Sequence, residues 1–435
     1  MLQVCKYLNS GDYRHALVRL WILASNPVLL NDWEQKVEAK KFDGLVENFL
    51  LQLGRGVVAP PVIDGSQPLA LIRAVEQHMD THTRVRGSVR LTPILEDGQK
   101  FWLIPSPLSS RPGGRLSVQI GNLSRWFQRY AVVPERTNCG IVVSVQQSQG
   151  VADAALRSVA ESSEETPTLR AWIAHFDDGA DVQWQRDALT RNWRAASVHP
   201  HDHRTTSIEA CLHRAIEAGA HVLLLPEFSV DLHQRQRIQR WLEENNSNTL
   251  ALVVPGSFHE AIADKVFNTA PLWNGTGTTI CVHRKLRLFG DELNGAEAVS
   301  IGNTLNLLVT PVGTFTVLIC KDYIDAHESV ATLLQEIPVD WALVVSYGNE
   351  TTLKLHKTKA KHLARVAPGT HTIVAHTLNT ALEKASDALP GFGHVCADEQ
   401  PMDIGVEGGL VEFKFSRKPS PSAPAASRQP LKSVK

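Results

Sequence analysis

Three apolar runs in the second half of the chain end on residues that do not suit a core. "HVLLLPEFSVD" places Glu227 directly after Leu225 and Pro226, "TTICVHRKLRLFGDEL" carries Lys285, and "TFTVLICKDYID" closes on Cys320. A carboxylate, an ammonium and a thiol form a workable catalytic set. A thiol at its ordinary pKa of ~8.5 is mostly protonated at neutral pH, so a nucleophilic cysteine needs a base or a nearby cation. Glu227 can take that proton. As sulfur attacks an amide or nitrile carbon, negative charge grows on the former carbonyl oxygen or nitrile nitrogen, which Lys285 and the backbone amide of Lys321 can stabilise. The protonated Glu227 can then serve the departing amine and later activate water against the acyl thioester.

Each residue also has a plain structural reading. A cysteine at the end of an apolar strand is ordinarily a small core residue. Glu227 alone would be a carboxylate favoured at a helix start, and Lys285 one cation among His283, Arg284 and Arg287. The three gain weight together, because strand ends in an α/β sheet converge on a crevice.

The order Glu, Lys, Cys, with "LLLPEF", "HRKLRLF" and "LICKDY" each closing a strand, resembles the nitrilase or carbon–nitrogen hydrolase superfamily over residues 168–415. The resemblance implies an α/β fold of the α-β-β-α sandwich type and a triad at Glu227, Lys285 and Cys320. It further implies an orienting second glutamate, matched best by Glu292 with Asp291 as the fallback. It implies an amidase-like hydrolase acting on a small amide or nitrile, with no cofactor or metal, and a homo-oligomer. "FNTAPLWNGTG" resembles the family's hairpin before the lysine, and "GGLVEFKF" its closing strand. Two departures bear on the pocket: Lys321 follows the cysteine where an aromatic is common, and His394 replaces a Gly-x-Ser element.

These residues need a scaffold of alternating strands and helices. Strands are expected at 169–175, 221–225, 250–255, 278–283, 315–320, 341–346, 372–376 and 409–415. A helix over 207–218 follows from Ile208, Cys211, Leu212, Ala215 and Ile216, with Thr206 and Glu209 as a capping box and Gly219 as the stop. Further helices are expected at 232–243, 328–336 and 353–366. "HPHDHR" offers His199, His201, Asp202 and His203 as metal ligands, but reads more simply as a loop leading into the capped helix.

A chain of 435 residues exceeds what one core usually supports. The expected division is an N-terminal extension domain over 1–150, a linker over 151–167, the hydrolase-like domain over 168–415 and a disordered Pro/Ser/Ala-rich tail over 416–435. The extension reads as helical to about residue 80, then β-rich and basic. Between Arg84 and Tyr130, eight Lys or Arg stand against Glu96 and Asp97. That is ordinarily a solvated surface; its sharper reading is a nucleic-acid site using Trp102, Trp126 and Tyr130 for stacking.

A formal net charge of -1 gives no global field for polyanions. The six cysteines are scattered without a CxxC pair, which argues for reduced thiols. With no apolar run near the ~20 residues that cross a bilayer and no signal-peptide pattern, a cytoplasmic protein without membrane contact is expected. Common nucleotide and HExxH metal signatures are absent. The rival reading keeps the fold without the chemistry: a binding or assembly module, nucleic-acid associated, in a bacterial defence system. An acyltransferase with the same triad is a third reading.

Overall fold

The computed structural model describes residues 1–59, 65–86, 91–105, 108–109, 126–127, 129–162, 166–176, 181–199, 201–291, 295–324, 334, 337, 339–366, 370–378, 391–394, 401–404 and 408–417. Two compact units emerge, Met1–Arg90 with Arg417–Lys435, and Leu91–Ser416. The boundary expected near residue 150 therefore moves to Arg90.

The first unit is helical, as expected: α1 (Leu2–Asn9), α2 (Tyr13–Ala24), α3 (Pro27–Gln35), α4 (Ala39–Gly54) and α5 (Gln67–Arg86). Its core comes from apolar positions at helical spacing, among them Leu8, Leu17, Leu20, Leu30, Trp33, Leu69 and Ile72. Asp12 and Asn26 cap α2 and α3 by accepting backbone amides that have no intrahelical partner.

The second unit opens with β1 (Ile94–Glu96), β2 (Gln99–Pro105), the short β3 (Leu108–Ser109), β4 (Tyr130–Pro134), β5 (Val142–Gln147) and α6 (Gly150–Ala160). Then come β6 (Thr168–Ile173), the hairpin β7 (Asp181–Arg186) and β8 (Trp193–His199), α7 (His201–Glu217), β9 (Val222–Leu225) and α8 (Leu232–Asn245). They are followed by β10 (Leu252–Pro255), β11 (Phe258–Ile262), β12 (Lys265–Asn274), β13 (Thr279–Arg284), and the two-residue strands β14 (Gly290–Asp291) and β15 (Gly295–Ala296). β16 (Thr304–Thr310), β17 (Gly313–Ile319), α9 (Lys321–Ile324), β18 (Trp341–Gly348), the helix Glu350–Val366, β19 (His371–Leu378), β20 (Gly391–His394), β21 (Met402–Asp403) and β22 (Gly409–Lys414) complete it.

Two seven-stranded sheets face each other. One runs β11-β12-β10-β9-β6-β22 with β13 beside β12, the other β21-β20-β19-β18-β17-β16-β5. Side-chain alternation explains why these strands are apolar on both faces. In β17 and β18, Phe315, Val317, Ile319, Trp341, Leu343 and Val345 point between the sheets, while Leu318, Ala342 and Val344 point to the outer helical layer. Val222 and Leu224 of β9 likewise point inward, and Leu223 and Leu225 join α7 and α8 in the opposite outer layer. The result is the expected α-β-β-α sandwich.

Several expectations shift at the N-terminal side of this unit. β5 pairs in parallel with β16 and closes one sheet, so residues assigned to the extension are part of the sandwich. The expected linker contains α6, whose Ala152, Ala155, Leu156 and Val159 enter the core between the sheets. Trp126 and Tyr130 are buried, and Lys100 pairs with Glu135 at 3.2 Å. Arg111, Arg115 and Arg125, most of the 328–336 helix and nearly all of the 416–435 tail lie outside the described residues. Among the described residues, no helix is long and apolar enough to cross a membrane.

Candidate active site

Glu227 follows β9 through Pro226 on a tightly held turn. Phe228 adopts a left-handed φ of 56°, its amide donates to Ser257 O at 2.8 Å, and Ser229 Oγ donates to Pro226 O at 2.7 Å. Gly256 is required beside this turn, since a Cβ there would sit 2.2 Å from Pro226 O. Cys320 closes β17 at an equally unusual φ of 42°, just before α9. Such conformations cost a non-glycine residue about 1–3 kcal/mol, and they persist where surrounding contacts dictate them.

Asp322 is the main such contact at the cysteine. Its Oδ1 accepts the amides of Leu286 at 2.9 Å and Arg287 at 2.8 Å, while Oδ2 accepts Ile319 N at 3.2 Å and meets His283 Nε2 at 2.8 Å. One buried carboxylate thus ties the cysteine's turn to the segment carrying the lysine. Lys285 leaves β13 with its amide on Asn268 O at 2.9 Å.

The three expected residues meet in a buried site. Lys285 Nζ donates to Glu227 Oε1 at 3.1 Å. Tyr347 joins the other two through its backbone: its N–H donates to Glu227 Oε2 at 3.0 Å, and its carbonyl accepts Cys320 Sγ at 3.7 Å. Behind the sulfur, Ser346 Oγ contacts His356 Nε2 at 2.9 Å and His376 Nδ1 at 3.0 Å.

The second glutamate at the lysine is Glu297, which accepts from Lys285 Nζ at 2.9 Å. Glu292 lies outside the described residues, and Asp291 pairs in the short β14–β15 ribbon. The segment after the lysine folds back, with Glu297 N donating to Phe289 O at 2.9 Å and Phe289 N to Glu297 Oε2 at 3.2 Å. A motif reading that sought a carboxylate several residues after the lysine had no signal for this return. Two further residues escaped notice. Asn268 Nδ2 donates to both carboxylates, at 2.9 Å to Glu227 and 2.8 Å to Glu297, and His259 Nε2 lies 2.9 Å from Glu297 Oε1.

Burial and charge divide the roles. Burial pushes the Glu227 carboxyl well above the usual carboxylate range, Lys285 opposing and Glu297 reinforcing the shift. Burial acts the same way on Glu297, but Lys285 and His259 outweigh it and hold this carboxyl low. On Lys285, burial is outweighed by the two carboxylates, so the ammonium is held charged. Burial, then Glu227, pushes the Cys320 thiol up to about 12 despite Lys285. A thiol raised in this way can act as a nucleophile only when a base takes its proton.

The histidine cluster of the sequence takes another form. Of the expected loop, His199 ends β8 and residues 201–204 form the first turn of α7, which starts at His201 rather than 207, and Thr206 Oγ1 donates to Asp202 O instead of forming a capping box. His201, Asp231 and His233 bring ligand atoms within 4.8 Å of one another. Both Asp231 oxygens already accept amides, from Gln234 at 3.0 Å as the cap of α8 and from Val198 of β8 at 3.2 Å.

No family model matches the chain. It is 27% identical over 139 residues to a deaminated glutathione amidase of Dictyostelium discoideum, covering 26% of this chain and 47% of that protein. It is 25% identical over 127 residues to a hydrolase of Schizosaccharomyces pombe, covering 25% of this chain and 39% of that protein. The chain thus spans half or less of the curated relatives it matches. Among solved structures it is similar to an amidase from Nesterenkonia sp., at 17% identity and a TM-score of 0.39, covering 57% of this chain and 90% of that one. A mutant of that amidase carries an acetamide moiety added at its active-site cysteine, and matches at 18% identity and a TM-score of 0.40. The sequence similarity to an amidase and to a hydrolase thus covers about a quarter of this chain.

Proposed function

We propose that this protein is a cysteine-dependent hydrolase of a non-peptide carbon–nitrogen bond, with an amide as substrate. The observation that carries this reading is the meeting of Glu227, Lys285 and Cys320 in one buried site, with Tyr347 bonded to both the carboxylate and the thiol. The partial similarity to an amidase agrees with it.

In this reading Cys320 Sγ attacks the amide carbon as its proton passes to Glu227. The electron pair moves onto the carbonyl oxygen, where Lys285 Nζ and the Lys321 amide stabilise it. Collapse of the adduct breaks the C–N bond, Glu227 returns the proton to the amine, and an acyl thioester remains on Cys320. Water, deprotonated by Glu227, then releases the acid and restores the thiol. If an amine replaced water at that step, the same site would be an acyltransferase.

Iodoacetamide alkylation of each cysteine against pH, followed by peptide mass spectrometry, tests the site without knowledge of the substrate. Cys320 should react with a pH profile that Glu227→Gln and Lys285→Met both shift, and an amide panel should then yield ammonia or amine with wild type only. A Cys320 as inert as the helix-core Cys211 and indifferent to both substitutions would defeat the proposal.

A further inference from the structure

Counting donors separates the two carboxylates more sharply than their burial does. An ionised carboxylate offers about four lone-pair positions. Among the described residues, Glu297 fills all four: Oε1 faces His259 Nε2 at 2.9 Å and Asn268 Nδ2 at 2.8 Å, and Oε2 accepts Lys285 Nζ at 2.9 Å and Phe289 N at 3.2 Å. Glu227 fills three, from Asn268 Nδ2, Lys285 Nζ and Tyr347 N, which leaves one position on Oε2. A proton arriving at the pair meets a donor at every position of Glu297 and an open position only on Glu227.

The fourth donor to Glu297 depends on a tautomer fixed from outside the triad. His259 lies in β11 and is buried, and Ala195 N donates to its Nδ1 at 2.8 Å. That amide comes from the β7–β8 hairpin. Because Nδ1 must accept, Nε2 carries the ring proton and donates it to Glu297. An imidazolium would put N–H against N–H at Nδ1, so the ring is held neutral, as its burial also favours. The hairpin is itself anchored here: Ala298 N donates to Trp193 O at 2.7 Å, Ala296 N donates to Asn192 Oδ1 at 3.1 Å, and the Trp193 ring stacks on His259 with centroids 6.1 Å apart. A Cβ on Gly295 would lie 2.4 Å from Arg191 O in the hairpin turn.

We propose that His259, locked as a neutral Nε2–H donor by the β7–β8 hairpin, is a positioning residue that keeps Glu297 ionised and so reserves Glu227 as the proton acceptor for Cys320. This rests on the triad reading above. The charged groups around the pair are Lys285 after β13, Glu227 after β9 and Arg194 of the hairpin, with the Cys320 thiol opposite. None of the cations can replace the lost donor, since Lys285 already bridges both carboxylates and Arg194 acts on His259 only through its charge.

The 435-residue chain allows a two-part test. Nitrogen-15 correlation spectra of the His259 ring should show Nε2 protonated and Nδ1 bare from pH 5 to 9. The pH profile of Cys320 alkylation should move upward in His259→Ala, because a Glu297 that has lost a charge-assisted hydrogen bond competes with Glu227 for the proton. His259→Gln should restore most of it, because an amide can accept from Ala195 and donate to Glu297. A ring that titrates in this range, an alanine profile matching wild type, or a glutamine variant no better than alanine would each overturn the proposal. If the alanine variant does not fold, the ring spectrum and the glutamine profile decide. A wild-type profile without a pH limb, unchanged in Glu227→Gln, would overturn the triad reading and His259's role with it. A normal limb indifferent to His259 overturns only the latter.

Discussion

Asn268 donates one hydrogen to each carboxylate and is fully buried, so it has no water to replace either partner. Its donation counters the upward push of burial on Glu227. Burial still dominates, so in the proposed reaction, where Glu227 must lose its proton before it can accept one from the thiol, the acid limb of activity should lie well above the ordinary carboxylate range of ~4.3. Asn268→Ala should move that limb further up and lower stability by about 1–3 kcal/mol, the cost of leaving buried acceptors under-satisfied. A pH–rate profile and a urea titration check both; an unmoved limb would mean that Asn268 serves packing alone. Of the three residues proposed as the triad, Glu227 and Cys320 could be picked out in the sequence because each closes an apolar run, where a charge or a thiol has no packing rationale, whereas Lys285 follows His283 and Arg284 and stood out only through its order with the other two. Asn268, His259 and Glu297 could not, because polar residues at those positions look ordinary until strand pairing sets them side by side.

Elements were legible in proportion to how strongly burial repeats along them. The inward and outward faces of β17 and β18 are both apolar, and those strands lie within two residues of expectation. Helix starts were less legible. α7 begins six residues early because Pro200 precedes a polar turn whose Arg204 and Thr205 are buried, a feature that neither periodicity nor a capping-box pattern reports. The turn at Cys320 shows the same dependence on distant contacts, for its φ of 42° is held by Asp322 reaching the amides of Leu286 and Arg287. Asp322→Asn preserves shape but places an NH2 group where either Ile319 N–H or the Leu286 and Arg287 amides need an acceptor. It should cost about 2–3 kcal/mol, with a slower alkylation of Cys320. A urea midpoint equal to wild type would show that the turn holds without the charge.

At the scale of the molecule, the change in chain texture near residue 150 is not a domain boundary. It marks the start of the alternating β/α pattern, whereas the sandwich itself begins earlier, with segments whose local pattern is only short strands and turns. β5 supplies an edge strand whose residues Val142 to Gln147 pair in register with Thr304 to Val309. Ile104, Ala131, Val133 and Val143 lie in the same buried cluster as Leu305, Leu318 and Val344. Removing them would strip part of one outer layer and leave β16 with an unpaired edge, the arrangement that invites aggregation. α6 adds Leu156 to the core between the sheets. A chain starting at Leu91 should therefore unfold in one cooperative urea transition and keep the alkylation profile of Cys320. One starting at residue 151 should be insoluble or lack a cooperative transition. If the shorter chain instead folds with an unchanged Cys320 profile, the segment from Leu91 to Gln147 is dispensable to the sandwich despite its burial there, and the boundary belongs near 150 after all.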